Sequence, residues 1–584
     1  MEDYKRKYEE WLNNPFFDEA TRAELLAISG DEKEIEDRFY KDLEFGTAGL
    51  RGVIGAGTNR MNFYIIRKAT GGLANYINKQ HKAAPAVAIA YDSRHMSPEF
   101  AKEAALVLAG NGIKAYLFES LRPTPQLSFA VRELKCIAGI NITASHNPPA
   151  YNGYKVYWED GAQITPPHDI GIMDEVRAVT DYSAVKILDE ESAISEGLLE
   201  IIGKDIDDLY INTLKEQVLH PEAIAEMAKD IKIVYTPLHG TGNVPVRRVL
   251  KELGFENVFV VPKQEKPDGD FPTVSYPNPE TAEAFTLGLK LAKEVDADLI
   301  LATDPDADRL GVYVKDGMGE YHVLTGNMSG CLLADYEIAQ RKAVKGLPED
   351  GYLVKTIVTS NLARAIADYY KIECKEVLTG FKYIGQQILL SEQTGKGTYL
   401  FGFEESYGCL IGTYARDKDA VSASMALCEA AAYYKLPKGH SNGMTLWEAM
   451  CNIYNTLGWY LEDVYSITLE GIEGAKQMQK LMEAFKVNPP LAFGVDKVLR
   501  IRDYKKGEIS DCETQAVSPT GLPKSDVLYY DLDDDGWVCV RPSGTEPKVK
   551  VYFGVRGNSA AEAKEKSAAI KAAVLKEVDG ILKD

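Results

Sequence analysis

No apolar run in this chain approaches the roughly 20 residues that a membrane-spanning helix needs. The start, Met1-Glu2-Asp3-Tyr4-Lys5, lacks the apolar segment of a secretory signal. A cytoplasmic location is therefore expected. Cysteine is sparse, with eight in 584 residues. They fall at Cys136, Cys331, Cys374, Cys409, Cys428, Cys451, Cys512 and Cys539, and no two have the Cys-x-x-Cys spacing of metal or redox motifs. Buried free thiols in a reducing compartment are the expected state. Positive charge is in deficit: 66 Lys and Arg face 87 Asp and Glu, a net charge of −21. Such a surface repels nucleic acids and anionic membranes, and neither is expected as a partner. There is no low-complexity linker and no short-period repeat.

What is present points to several domains. A chain this long exceeds one typical domain. Its 45% apolar and 26% charged residues are ordinary for globular proteins. Short apolar runs open repeatedly into polar loops, as buried strands do. Ala86–Ala90 ends at Asp92-Ser93-Arg94, and Cys136–Ile142 at Thr143-Ala144-Ser145. Ile231–Tyr235 leads to His239-Gly240, Leu299–Ala302 to Thr303-Asp304, and Tyr399–Phe403 to Glu404-Glu405-Ser406. Helical patterns lie between them. In Thr281–Val295, Ala282, Phe285, Leu289 and Ala292 share one face. This alternation predicts mixed or parallel α/β sheets with functional loops at strand ends.

The C-terminal stretch reads differently. Val527–Leu532 and Trp537–Val540 flank Asp533-Asp534-Asp535-Gly536, a hairpin signature. Val549, Val551, Phe553 and Val555 alternate as in a half-buried strand, and Ser559 with Glu562 forms a capping box before a helix ending near Leu582. Boundaries near 205, 318 and 460 divide the chain into three α/β domains and a smaller α+β C-terminal domain: 1–205, 206–318, 319–460 and 461–584. The helical extension before Phe45 reads as packing rather than chemistry.

Four segments carry candidate chemistry. In Asp304-Pro305-Asp306-Ala307-Asp308-Arg309, three carboxylates follow a buried strand. Gathering them is costly unless a cation sits among them, and their hard oxygens suit Mg²⁺. A solvated acidic turn fits the same spacing. Thr143-Ala144-Ser145-His146-Asn147-Pro148 offers a hydroxyl at a strand end with a histidine beside it. Serine needs a base or metal to carry a phosphoryl group, yet neighbouring side chains on a strand point apart, and an ordinary polar turn also fits. Arg541-Pro542-Ser543-Gly544-Thr545-Glu546 has the composition of a phosphate cradle, and equally of a simple turn. Gly402-Phe403-Glu404-Glu405-Ser406-Tyr407-Gly408 could hold sugar hydroxyls or be an exposed loop. Asp531, Asp533 and Asp535 mimic the start of a calcium loop, but its twelfth position is Pro542 and no helix leads in, so a hairpin turn is expected.

Together and in this order, the four segments resemble the α-D-phosphohexomutase superfamily over nearly the whole chain after Phe45. That resemblance implies a four-domain, heart-shaped molecule in which each domain gives one loop to a central cleft. It implies that Ser145 is a phosphoserine, that its phosphate with Asp304, Asp306 and Asp308 holds Mg²⁺, and that Arg309 contacts the reacting phosphate. Arg51, in Gly46-Thr47-Ala48-Gly49-Leu50-Arg51-Gly52, and Lys155, in Asn152-Gly153-Tyr154-Lys155, match a family arginine and a general acid/base, with His146 assisting. Glu404 and Ser406 would bind sugar hydroxyls, with Thr379 and Lys418 as further substrate contacts. Arg541, Ser543, Gly544 and Thr545 would grip the phosphate that is not reacting. His239 and Lys382 read equally well as structural, and Arg94 and His95 are left outside the site.

The implied reaction interconverts glucose 1-phosphate and glucose 6-phosphate through a glucose 1,6-bisphosphate intermediate. The Gly402–Gly408 segment, the Thr379-Gly380-Phe381-Lys382 segment and the N-terminal extension resemble a subgroup of glucose and pentose enzymes. Gly408 stands where mannose enzymes often carry histidine. Pentose and mannose phosphates are the alternatives. An aspartate-dependent phosphohydrolase or an inactive, binding-only relative stands further off. A monomer or a dimer is expected, with a phosphorylated sugar as its partner.

Overall fold

The computed structural model describes residues 3–44, 49–80, 83–437, 443–469, 471–542 and 548–583. Two compact units emerge. The first comprises Met1–Lys315, Ile388–Leu390 and Gly408–Asn442; the second comprises Asp316–Gln387, Ser391–Tyr407 and Gly443–Asp584.

The first unit holds two sheets. One has six strands in the order Leu50–Val53, Tyr151–Trp158, Ala138–Ile142, Ala86–Tyr91, Lys114–Phe118 and Leu199–Ile202. The last four run parallel, and the first two join antiparallel at one edge. Ala138–Ile142 is buried at every residue, which is why it reads as a continuous apolar run rather than an alternating one. In the second sheet, Leu299–Thr303 pairs in parallel with Lys232–Thr236 and antiparallel with Leu310–Lys315, and Asn257–Val260 pairs in parallel with Lys232–Thr236. The mixed sheets expected from the alternation of elements are thus present. Gly153 lies where three strands converge: a Cβ there would come within 2.5 Å of the Thr143 carbonyl and 2.8 Å of that of Leu50. Only a bare Cα lets the strand of Arg51 approach the serine segment so closely.

Three helices, Asp3–Asn13, Glu19–Ala27 and Glu32–Phe39, form the N-terminal extension. Asp18 and Asp31 cap the second and third by accepting from Thr21 N and Glu34 N. Trp11 stacks on Phe17 at 4.2 Å and meets Phe39, Tyr64 and Tyr182 edge-on. The extension packs against Tyr64 and Tyr182 through this apolar cluster.

In the second unit, Gly351–Thr356 pairs in parallel with both Glu373–Val377 and Thr398–Glu404. The C-terminal sheet is antiparallel, running Trp459–Thr468, Lys548–Gly557, Trp537–Pro542, Leu528–Leu532 and Asp496–Asp503, with Glu508–Asp511 and Val517–Pro519 beyond. The helix Ala560–Lys583 packs on it. One apolar cluster joins Ile357, Val358 and Leu378 to Tyr504, Tyr529, Trp537 and Tyr552. Arg502 adds a bridge, 2.7 Å from Glu376 and 2.9 Å from Asp531. Burial opposes ionisation of Glu376, but Lys355, Arg502 and Arg364 outweigh it and hold its carboxyl down at about 2.

Two local expectations change. Thr281–Val295 opens as a 3₁₀ turn, Ala282–Phe285, before the α-helix Thr286–Val295. Glu283 binds the Ser275 amide at 2.9 Å and its hydroxyl, which ties the first turn outward. The capping box at Ser559 is only half formed. Its hydroxyl accepts from Glu562 N, while the Glu562 carboxylate takes the Asn558 amide at 2.8 Å. The Asp533–Asp535 segment forms the expected turn between the antiparallel strands Leu528–Leu532 and Trp537–Pro542, as a short 3₁₀ segment with Asp534 and Asp535 left-handed.

Candidate active site

The C-terminal ends of buried strands carry the site in the first unit, as open α/β sheets favour. The strand Ala138–Ile142 delivers Ser145, which is buried at 3% exposure and left-handed at φ 52°. This turn overrules the expectation that neighbouring side chains diverge. The Ser145 hydroxyl lies 3.0 Å from His146 Nδ1 and donates to Asp304 Oδ2, also at 3.0 Å. Arg51 donates from Nη1 to Asn147 Oδ1 at 2.7 Å and so reaches the same loop.

The strand Leu299–Thr303 delivers Asp304, Asp306 and Asp308, all buried, with one carboxylate oxygen of each lying within 4.8 Å of the others. Asp304 Oδ1 accepts the amides of Asp308 at 3.1 Å and Arg309 at 3.0 Å, which folds the loop around it. Asp306 Oδ2 accepts from Lys155 Nζ at 2.9 Å and from the Thr124 hydroxyl at 2.8 Å. Asp308 Oδ2 lies 3.1 Å from Lys418 Nζ and 3.9 Å from Lys155. Lys418 also contacts Asp417 at 3.1 Å, and Asp417 accepts the Tyr157 hydroxyl at 2.8 Å. Arg309 is ion-paired with Glu280.

The electrostatics follow from this crowding. Burial, then Asp306 and Asp308, push the Asp304 carboxyl well above the usual carboxylate range. Burial and Asp306 likewise raise Asp308. Burial works against the Asp306 charge too, but Lys155 outweighs it and holds that carboxyl low. Burial, with Arg309 and Arg51, keeps the His146 imidazole well below its ordinary value and hence neutral.

A divalent cation fits this donor set. Asp306 Oδ1 and Asp308 Oδ1 are buried with no hydrogen-bond partner, and each such oxygen costs about 1–3 kcal/mol or more if left alone. Lys155 and Lys418 set two ammonium groups against three carboxylates. Hard carboxylate oxygens clustered in this way suit Mg²⁺.

In the second unit, Glu404 ends the strand Thr398–Glu404, and its Oε1 accepts the Gly380 amide at 2.8 Å. This joins the Thr379–Lys382 segment to the Glu404–Ser406 loop. Glu405 Oε2 accepts from Thr356 and Thr359 at 3.3 and 3.4 Å, which anchors the loop from beneath and leaves Ser406 half-buried. The Thr379 hydroxyl is enclosed without a hydrogen-bond partner. Arg541 stands near the end of the strand Trp537–Pro542. Ser543, Gly544 and Thr545 lie outside the described residues, as do Gly46, Thr47 and Ala48.

Sequence reasoning passed over several residues of this site. Thr124 holds Asp306 through both its hydroxyl and its amide, the latter on the Asp306 carbonyl at 2.9 Å, and Asn141 donates to the Thr124 hydroxyl at 2.7 Å. Arg94, set aside at first, reaches the serine loop with its guanidinium. The only signal was position: Arg94 follows a strand end, and Thr124 opens a helix between two prolines. His239 bonds to the Lys266 carbonyl and the Thr273 hydroxyl, a loop-shaping role.

Comparison with known proteins agrees with this layout. Family models for phosphoglucomutase/phosphomannomutase match as α/β/α domain I over residues 42–183, domain II over 208–317, domain III over 325–455 and the C-terminal domain over 524–572. The chain belongs to the phosphoglucomutase/phosphomannomutase family. It is thereby a member of the α-D-phosphohexomutase superfamily, with mixed α/β sheets in three domains and a smaller C-terminal domain. Within the family it is 39% identical over 528 residues to a phosphoglucomutase of Staphylococcus aureus, strain MRSA252, covering 90% of this chain and 92% of the relative. The same fold occurs in the pp63/parafusin phosphoglucomutase of Paramecium in its open form, with a TM-score of 0.67, 18% identity and coverage of 93% and 96% of the two chains. A phosphoglucomutase/phosphomannomutase family protein of Burkholderia thailandensis shares it at a TM-score of 0.61 and 21% identity, over 91% and 97%.

Proposed function

We infer that this chain is a phosphoglucomutase, an isomerase that interconverts α-D-glucose 1-phosphate and glucose 6-phosphate through phospho-Ser145 and glucose 1,6-bisphosphate. The observation that carries the reading is the Ser145 hydroxyl bonded to Asp304 inside a cluster of three buried carboxylates, in a chain 39% identical to a phosphoglucomutase.

A sugar hydroxyl attacks the phosphorus on Ser145, its O–P bond forms, and the seryl O–P bond breaks. Lys155, once it has shed its ammonium proton on substrate binding, takes the sugar hydroxyl's proton and returns it to the sugar oxygen freed in the second transfer. His146, 3.0 Å from the seryl oxygen and neutral beside the free serine, takes the serine proton when the second phosphoryl group returns and gives it back to the seryl oxygen when that oxygen next leaves phosphorus. Between the two transfers the bisphosphate turns end for end without leaving. Arg51 steadies the serine loop through Asn147. Arg309 leaves Glu280 for the reacting phosphate, and Lys418, held by Asp308 and Asp417, supports substrate charge. Thr379, Glu404 and Ser406 take sugar hydroxyls, and Arg541 with Ser543, Gly544 and Thr545 takes the other phosphate. Magnesium would be held by Asp304, Asp306, Asp308 and the Ser145 phosphate, and would supply neutralisation of the charge on the moving group. These cations answer the repulsion that the acidic body imposes on an anionic substrate.

Domain boundaries near 205, 318 and 460 belong to the same reading, as does a cytoplasmic location. Eight free cysteines fit that compartment, and among the described residues no helix is long and apolar enough to cross a membrane.

Turnover of a panel of sugar 1-phosphates with Mg²⁺ and glucose 1,6-bisphosphate tests the reading. Glucose 1-phosphate is expected to convert fastest, and Ser145→Ala to lose at least about 10³-fold in kcat. Faster conversion of ribose or mannose 1-phosphate would change the substrate. Near-normal turnover by Ser145→Ala would remove the serine as carrier.

A further inference from the structure

Arg94 is fully buried, and its guanidinium takes four backbone carbonyls of one loop. Nη1 donates to Pro148 O at 2.8 Å and to Tyr151 O at 3.0 Å. Nη2 donates to Ser145 O at 2.6 Å and to Asn147 O. On its other side, Nε lies 3.4 Å from Asp92 Oδ2, and the Phe271 ring is 5.0 Å from the guanidinium carbon. Asp92 is itself fixed, its Oδ1 accepting the Arg94 amide at 2.9 Å and the Ser97 hydroxyl at 2.7 Å.

The serine segment needs such a fastening. Ser145 sits at φ 52°, where residues with a side chain rarely rest unless their surroundings over-determine them. The Ser145 carbonyl belongs to the peptide plane that joins Ser145 to His146. Fixing that oxygen fixes the plane, and with it both the direction of the seryl Oγ and the seat of the imidazole. Loop carbonyls ordinarily turn to water. Here one planar, five-donor group replaces the water with a rigid fork.

We propose that Arg94, oriented by Asp92, is a positioning residue for phosphoryl transfer, clamping the loop from Ser145 to Tyr151 so that the seryl oxygen stays aimed at the Asp304 carboxylate. It acts through Ser145 rather than on the sugar, so it governs the chemical step and not substrate affinity. This rests on the reading of Ser145 as the phosphoryl carrier.

The test compares Arg94→Lys, Asp92→Asn and Ser145→Ala in the full-length protein with Mg²⁺ and glucose 1,6-bisphosphate. Lysine keeps the charge but cannot span four carbonyls. Arg94→Lys is expected to lose about 10- to 100-fold in kcat, the scale of a small misplacement at a reacting centre, with KM for glucose 1-phosphate within two-fold. The initial rate of Ser145 phosphorylation by the bisphosphate, followed by intact mass, falls in parallel. Asp92→Asn keeps the shape and loses about 3- to 10-fold in kcat by the same route. A folded Arg94→Lys with kcat within two-fold, or one whose defect is confined to KM, overturns the proposal. Where circular dichroism shows Arg94→Lys unfolded, Asp92→Asn decides, and wild-type kcat in that variant overturns it. Retained turnover in Ser145→Ala would sink the carrier reading and this inference together. A dead Ser145→Ala beside a normal Arg94→Lys would sink this inference alone.

Discussion

Lys155 lies 2.9 Å from Asp306 and 3.9 Å from Asp308, almost wholly out of water. Two effects of removing it act at different levels. A general acid/base is worth about 10²–10⁴ in rate, so Lys155→Met should lower kcat by at least about 100-fold. It also strands the Asp306 charge, and breaking a buried pair from one side costs about 3–5 kcal/mol. The sign follows from Asp306, whose carboxyl lies low in the folded protein. The pair stabilises above the carboxyl's unfolded value, and that contribution fades as pH falls through the folded one. Urea unfolding of Lys155→Met should therefore show its largest deficit near neutral pH and a smaller one in acid. A variant equally stable at both would refute the pairing. Ser145 and the aspartates were visible in the sequence because their residue types are unusual together. The Ser145–His146 contact was not, because a single left-handed residue reverses the geometry a strand would impose. Arg94 stayed hidden because a lone arginine after a strand looks the same whether it faces water or four carbonyls.

The strand Trp459–Thr468 carries Glu462, whose Oε1 is buried without a hydrogen-bond partner. Burial raises its carboxyl from 4.5 to about 7, against a smaller pull from Ser360 and Lys355. The folded state thus keeps a proton that the unfolded chain has already released above pH 4.5. Its stabilising effect is complete below that value and is lost as pH rises through about 7. The shift corresponds to about 3 kcal/mol. Glu462→Gln should raise stability at pH 8 by up to that amount and leave it unchanged at pH 4, measured by urea denaturation. An equal change at both values would rule out the protonation account. Strands of this kind were legible where both faces are buried, as in Ala138–Ile142 and Leu299–Thr303. Element ends were less so, because Glu283 reaches eight residues back to Ser275 and Glu562 takes the amide of Asn558 rather than that of Ser559, and apolar periodicity carries no record of such choices.

Across the whole chain, the −21 net charge and the enclosed carboxylates both favour taking up a cation. Anything that binds the folded state alone stabilises it by mass action, by about 2.7 kcal/mol at one hundred times Kd. Magnesium should raise the unfolding midpoint of chelator-treated protein, and Asp306→Asn should abolish that rise while leaving the helical circular dichroism intact. No shift with wild-type protein would contradict the metal assignment. Order of domains along the chain was legible from four loops in register, whereas the grouping into units was not, because it depends on contacts between remote segments. The helix Ala420–Lys435 and Lys418 come late in the chain yet belong to the unit that contains Asp308. Covalent succession and physical membership therefore part company. A gene cut after residue 318 would yield a fragment stripped of a helix buried along nearly its whole length and of Asp308's ammonium partner. Such a fragment should aggregate on expression, and supplying 408–442 as a tethered segment should recover soluble material. The enzyme cannot be halved along its own reading order.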